Sequence, residues 1–187
     1  ERPVHIVAHS LGARVALSAL RGAPAGSVGR LILMAGAEYG GAARAALDTP
    51  AGRRAELVNI TSRENDLYDF LLERLVAPEA RGDRAIGHGI GPVRNALTVQ
   101  IDKPAHLEAL AGLGFRIAPP DRRVCHWSGY LRPGVFPFYQ TLIRKPAELP
   151  VPVLRSQLDG DPSRRWSRLL APPQIQRPAF WTARPTA

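Results

Sequence analysis

Apolar residues along this chain gather into short runs of two kinds. Val4-His5-Ile6-Val7-Ala8, Arg30-Leu31-Ile32-Leu33-Met34-Ala35 and Ala55-Glu56-Leu57-Val58-Asn59-Ile60 are compact and rich in branched aliphatic side chains. Runs of this length and composition predict strands buried on both faces, as in a parallel sheet. Leu97-Thr98-Val99-Gln100-Ile101 alternates apolar with polar and predicts a fourth strand. The second kind has helical spacing. Ala13 to Leu20 is Ala/Leu-rich and stops near Gly22; a short Ala-rich helix is expected around Ala42 to Leu47. Leu67, Phe70, Leu71 and Leu75 share a helix from Leu67 to Val76, closed by Pro78. Further helices are expected from Ala105 to Leu113 and around Phe136, Phe138, Tyr139, Leu142 and Ile143.

Strands alternating with helices argue for an α/β fold: a mostly parallel sheet of about four strands, flanked by helices and joined by right-handed crossovers. Residues 79–95 are rich in Gly, Arg and Pro and read as a long loop. Eight of the 18 prolines fall between Lys145 and Ala187. That concentration predicts one domain over residues 1–145 and an extended or disordered Pro/Arg-rich tail over 146–187, with a helical turn near Trp166 to Leu170. No internal repeat is visible.

Composition adds exclusions. The net charge is +9, yet the only lysines are Lys103 and Lys145. The arginines are dispersed, and with so much Ala, Gly and Pro they reflect GC-rich coding rather than a basic binding stripe. No nucleic-acid partner is expected. No apolar run reaches the roughly 18 residues of a membrane span, and no signal-peptide pattern stands at the start. Cys125 is the single cysteine, so neither an intrachain disulfide nor a thiolate metal cluster can form. That suits a reducing compartment and a cytoplasmic location.

The candidate chemistry lies in Ala8-His9-Ser10-Leu11-Gly12, between the first strand and the first helix. A serine hydroxyl is a poor nucleophile until a neighbouring base takes its proton. A sharp strand-to-helix turn exposes that hydroxyl above the sheet edge, and small residues two before and two after ease the backbone crowding. The next amide, that of Leu11, opens the helix and can donate to an oxyanion. The competing role for Ser10 is a simple helix cap.

This segment resembles the nucleophile elbow of the α/β-hydrolase superfamily, with Ala8 in place of the first glycine. The resemblance spans roughly residues 3 to 145 and implies a serine hydrolase with chain order Ser, acid, His. It implies Asp66, in the loop after the third strand, as the acid, with Asp69 and Glu64 as alternatives. Asp66 also reads as an N-cap paired with Asp69. It implies His126 as the general base, with His88 as the alternative. His5 and His9 sit in the first strand and its turn, and His106 in a helix, where they are not expected to serve. Trp127 is either a wall of the site or core filling.

The expected reaction is hydrolysis of an ester or thioester of a small molecule through an acyl-enzyme, with no cofactor and no metal. The stretch from Gly36 to Ala55 is too short for a lid domain, so the segment between Asp66 and His126 is expected to shape the pocket. The chain begins at Glu1, on the nucleophile strand, and its only methionine is Met34. The resemblance therefore implies the C-terminal half of the fold, lacking the early strands and the second oxyanion donor, and inactive or poorly folded alone. The alternative function is a non-catalytic hydrolase-like protein acting through an interaction surface.

Overall fold

The computed structural model describes residues 2–158 and 162–171. The chain runs β1 (Val4–His9), α1 (Gly12–Gly22), β2 (Val28–Met34), α2 (Gly40–Leu47), β3 (Glu56–Thr61), a 3₁₀ turn (Arg63–Asn65) and α3 (Asp66–Leu75). It continues through a second 3₁₀ turn (Ile86–His88), β4 (Ala96–Gln100), α4 (Pro104–Gly112), α5 (Ser128–Leu131), α6 (Val135–Arg144) and α7 (Val151–Gln157). The strands form one parallel sheet in the order β1-β2-β3-β4. The expected α/β architecture is what the chain adopts.

Side-chain alternation explains why helices cover both faces. Leu31, Leu33 and Leu57 point into one layer with Ala13, Ala16, Leu17 and Leu20 of α1 and Ala43, Ala46 and Leu47 of α2. Ile32, Met34, Val58 and Ile60 point the other way, against Leu110 of α4, Phe138 and Leu142 of α6 and Leu154 of α7. Each fully buried Leu, Ile or Phe contributes about 2 kcal/mol, so both layers hold the sheet. β1 is an edge strand, and its Val4 and Val7 are 58% and 46% exposed.

The core does not end at residue 145. Leu149, Val151, Leu154 and Leu158 are buried in the second layer. Arg30 of β2, fully buried, pairs with Glu56 of β3 and donates to the carbonyls of Leu142 at 2.8 Å and Leu149 at 3.0 Å. Glu56 in turn accepts the Val151 amide at 2.9 Å. A guanidinium in the sheet thus anchors the chain beyond α6, and the expected domain boundary shifts past α7. The prolines mislead here because Pro150 and Pro152 sit at the start of α7, where proline's missing N–H costs nothing.

Residues 162–171 return over α3. Arg165 meets Glu73 at 2.7 Å, the Trp166 ring packs edge-on against Phe70, and Leu170 N–H donates to Trp166 at 2.9 Å. The remainder of the expected tail lies outside the described residues. Gly134, before α6, has φ +88°, and a Cβ there would stand 2.0 Å from the Arg116 carbonyl oxygen. Only glycine fits that position. Among the described residues no helix is long and apolar enough to cross a membrane.

Candidate active site

Ser10 follows directly on β1 and has φ +55°, a left-handed conformation that non-glycine residues rarely take. Its backbone is held from three sides. The Ser10 amide donates to Met34 at 3.1 Å, and its carbonyl accepts from Ala13 at 3.0 Å and Ala37 at 2.9 Å. The first bond extends the β1–β2 ladder, the second starts α1, and the third ties in the loop after β2. Strain of this kind costs on the order of 1–3 kcal/mol and persists only where the surroundings enforce it. The flanking small residues matter less than the sequence pattern implies at one of the two positions. A Cβ on Gly12 would meet Ala8 Cβ at 3.6 Å, an ordinary contact. Among the described residues the Leu11 amide has no backbone acceptor.

Ser10 and His126 line the same cavity, of about 250 Å³. His126 lies just before α5, in a segment tied back by the Cys125 amide, which donates to the Glu64 carbonyl at 2.9 Å. Its imidazole stacks on Tyr68 with ring centroids 4.3 Å apart and touches His9 at 4.5 Å. His9 Nε2 donates to the His126 carbonyl at 3.0 Å, so His9 braces the segment that carries the second imidazole. Burial, reinforced by the neighbouring His9, lowers the His126 pKa to about 4. Its imidazole is therefore neutral at physiological pH. Trp127 is 45% exposed, so it is not core, and it stands edge-on to both His126 and Tyr68 without lining the cavity they share with Ser10.

The partner of His126 is not Asp66. His126 Nδ1 is 2.7 Å from Asn65 Oδ1. Asp66 is buried elsewhere: one carboxylate oxygen accepts from Arg63 at 2.9 Å and the other from the Trp166 amide at 2.6 Å. Both oxygens are engaged, so the structure does not bring Asp66 to His126 as expected; Asn65 beside it makes that contact. Burial raises the Asp66 pKa, with Arg63 and the Trp166 hydrogen bond opposing. Glu64 is also taken, paired with buried Arg132 and accepting from Ser62 Oγ at 3.0 Å.

Asp69 stands behind the amide. Asn65 Nδ2 donates to Asp69 Oδ1 at 3.0 Å. An amide has one accepting and one donating end, so the Asp69 bond turns Asn65 Oδ1 towards the imidazole. Asn65 Oδ1 can only accept, which places the His126 proton on Nδ1 and leaves the Nε2 lone pair for a hydroxyl. Burial, outweighing nearby Arg63, pushes the Asp69 pKa up to about 7. Gly87 makes room for this carboxyl: a Cβ there would lie 2.0 Å from Asp69 Oδ2.

The remaining histidines are placed apart. His88 lies in the second 3₁₀ turn against Arg63 at 3.3 Å and Glu73 at 3.6 Å, and lines a different cavity. Burial, with Arg63 adding to it, lowers its pKa to about 4. His106 is buried and accepts the Gln100 amide at 2.9 Å. Sequence reasoning missed Asn65 as the partner of His126, Tyr68 and the bracing role of His9, and it named Asp69 only as an alternative acid in direct contact with the histidine. Only the Asn65-Asp66 pair pointed near the answer. Among the described residues no group of three or more His, Cys, Asp or Glu side chains is arranged to hold a metal ion. The chain matches no protein-family model, no curated protein and no solved structure.

Proposed function

We propose that this protein is a serine-dependent hydrolase of the α/β-hydrolase type, acting on ester or thioester bonds through an acyl-enzyme. The observation that carries the reading is Ser10 at φ +55° between β1 and α1, lining one cavity with an imidazole whose Nδ1 is engaged by Asn65. Ser10 Oγ attacks the carbonyl carbon while His126 Nε2 takes the hydroxyl proton. The Leu11 amide donates to the tetrahedral oxyanion, a contact of the kind worth about 3 kcal/mol of barrier. His126 then protonates the leaving group, and water repeats the sequence on the acyl-enzyme. Asn65 holds the tautomer by hydrogen bonding, as the amide does in Cys-His-Asn enzymes, and Asp69 holds Asn65.

A second reading is a hydrolase-like protein that binds without cleaving. It is favoured by the neutral amide facing His126, which stabilises an imidazolium less than a carboxylate does. One experiment separates the two. The intact protein is treated with an alkyl fluorophosphonate, and the modified residue is mapped by mass spectrometry. Labelling at Ser10, lost in Ser10→Ala and slowed in His126→Ala, is the expected result. A folded protein left unlabelled at Ser10 overturns the catalytic reading.

A further inference from the structure

The cavity beside Ser10 has a polar end and an apolar end. Asn65 and Tyr68, both in contact with His126, border it with Asp69 at the start of α3. Along the same helix Leu71, Leu72, Leu75 and Val76 take over as its lining. From Asp69 to Val76 the helix rises roughly 10 Å, the reach of a medium-length alkyl chain. Among the described residues no lysine or arginine lines this cavity, and the one carboxyl that does is Asp69. An anionic group on the substrate would find no counter-charge there.

Resting on the serine-hydrolase reading, we infer that this cavity is an acyl site for linear, uncharged aliphatic acyl groups, laid along α3 from Ser10 towards Val76. Its volume sets the length. A methylene takes up nearly as much space as a liquid water molecule, about 30 Å³, so a cavity of about 250 Å³ holds about eight such groups. Leu71 and Leu75 are 42% and 80% exposed and form the open side, which an acyl chain would cover. Each methylene taken from water raises kcat/KM by up to about fourfold. A dicarboxylic acyl group would meet the Asp69 carboxyl and no cationic partner among the described lining residues.

The test is a series of p-nitrophenyl esters, from acetate through hexanoate and octanoate to dodecanoate, with the intact protein and Ser10→Ala as blank. kcat/KM is expected to rise at least about tenfold from acetate to the best medium chain and to fall again by dodecanoate. Leu71→Trp and Leu75→Trp fill the groove and should each cut the octanoate-to-acetate ratio by at least about tenfold. Leu67→Trp, on the same helix but off the lining, should leave that ratio unchanged; Leu75 is exposed enough that its variant folds. A Ser10-dependent rate that is flat with chain length, or a ratio that neither groove variant moves, overturns the acyl site and leaves the hydrolase reading standing. Absence of any Ser10-dependent turnover or labelling removes both.

Discussion

Asn65 Oδ1 and His126 Nδ1 stand 2.7 Å apart, so an amide occupies the position that the proposed triad would give to a carboxylate. Asp66, one residue on, faces away into an ion pair with Arg63. Asn65→Leu should therefore lower kcat by about 100-fold or more with KM little changed, because the imidazole loses its tautomer and orientation. Asp66→Asn should leave kcat of the folded protein near the parent value and instead lower Tm, through its weakened partnership with buried Arg63. Steady-state kinetics beside thermal melts separate the two, and the reverse pattern would restore Asp66 as the orienting acid.

Among the described residues Asp69 is linked to His126 through Asn65. In Asp69→Asn nothing forces the Asn65 amide to present its oxygen, and kcat should drop about tenfold while the fluorophosphonate still finds Ser10. The same variant carries a stability signature. The Asp69 pKa is raised to about 7 from an ordinary value of 3.8. Between those values the folded protein holds a proton that the unfolded chain has released, so this group's contribution is full below about pH 4 and lost as pH rises through about 7. Chemical denaturation from pH 4 to 7 should show the parent losing a few kcal/mol relative to Asp69→Asn. Parallel curves would refute the assignment.

The acid limb of kcat/KM should lie well below the 6.5 of a free imidazole, towards about pH 4, where His126 becomes protonated. The same shift stabilises the fold as pH rises from about 4 to 6.5, since only the unfolded chain binds that proton there. His88, held by burial and Arg63, adds in the same direction. Asn65→Asp places a carboxyl beside the imidazole and should move the kinetic limb upwards. An unmoved limb would mean that another group sets it.

Ser10 is kept in a left-handed conformation by three backbone bonds. Ser10→Gly removes the Cβ that makes this costly and should raise stability by about 1 kcal/mol while abolishing labelling. Ser10→Ala keeps the Cβ and should not gain. Equal melting temperatures for the two variants would show that the turn is unstrained.

Arg30 joins β2 and β3 to the segment beyond α6 through Glu56, Leu142 and Leu149. Arg30→Met leaves Glu56 and the carbonyls of Leu142, Pro146 and Leu149 without their partner and should cost about 3–5 kcal/mol. If α7 were a dispensable tail, the same substitution would scarcely change the denaturation midpoint.

Local patterning was enough for the elements that depend on neighbours in the chain. The apolar runs specify buried strands, and Val-His-Ile-Val-Ala-His-Ser-Leu-Gly followed by an Ala/Leu helix specifies the turn at Ser10, because strand, bend and helix are all set within that stretch. Which side chain meets His126 is a different kind of question. Asn65 and Asp66 are adjacent, and successive residues at a helix start point about 100° apart; the choice was made by Arg63 and Trp166, which claim Asp66, and by Asp69, which claims the amide nitrogen of Asn65. The course of the chain past residue 145 was likewise decided in three dimensions. Proline content argued for an extended tail, but a buried guanidinium from β2 and an apolar layer under the sheet provide partners that lie over a hundred residues away along the chain. Short-range spacing carries no record of such long-range partners, and only the folded packing supplies it.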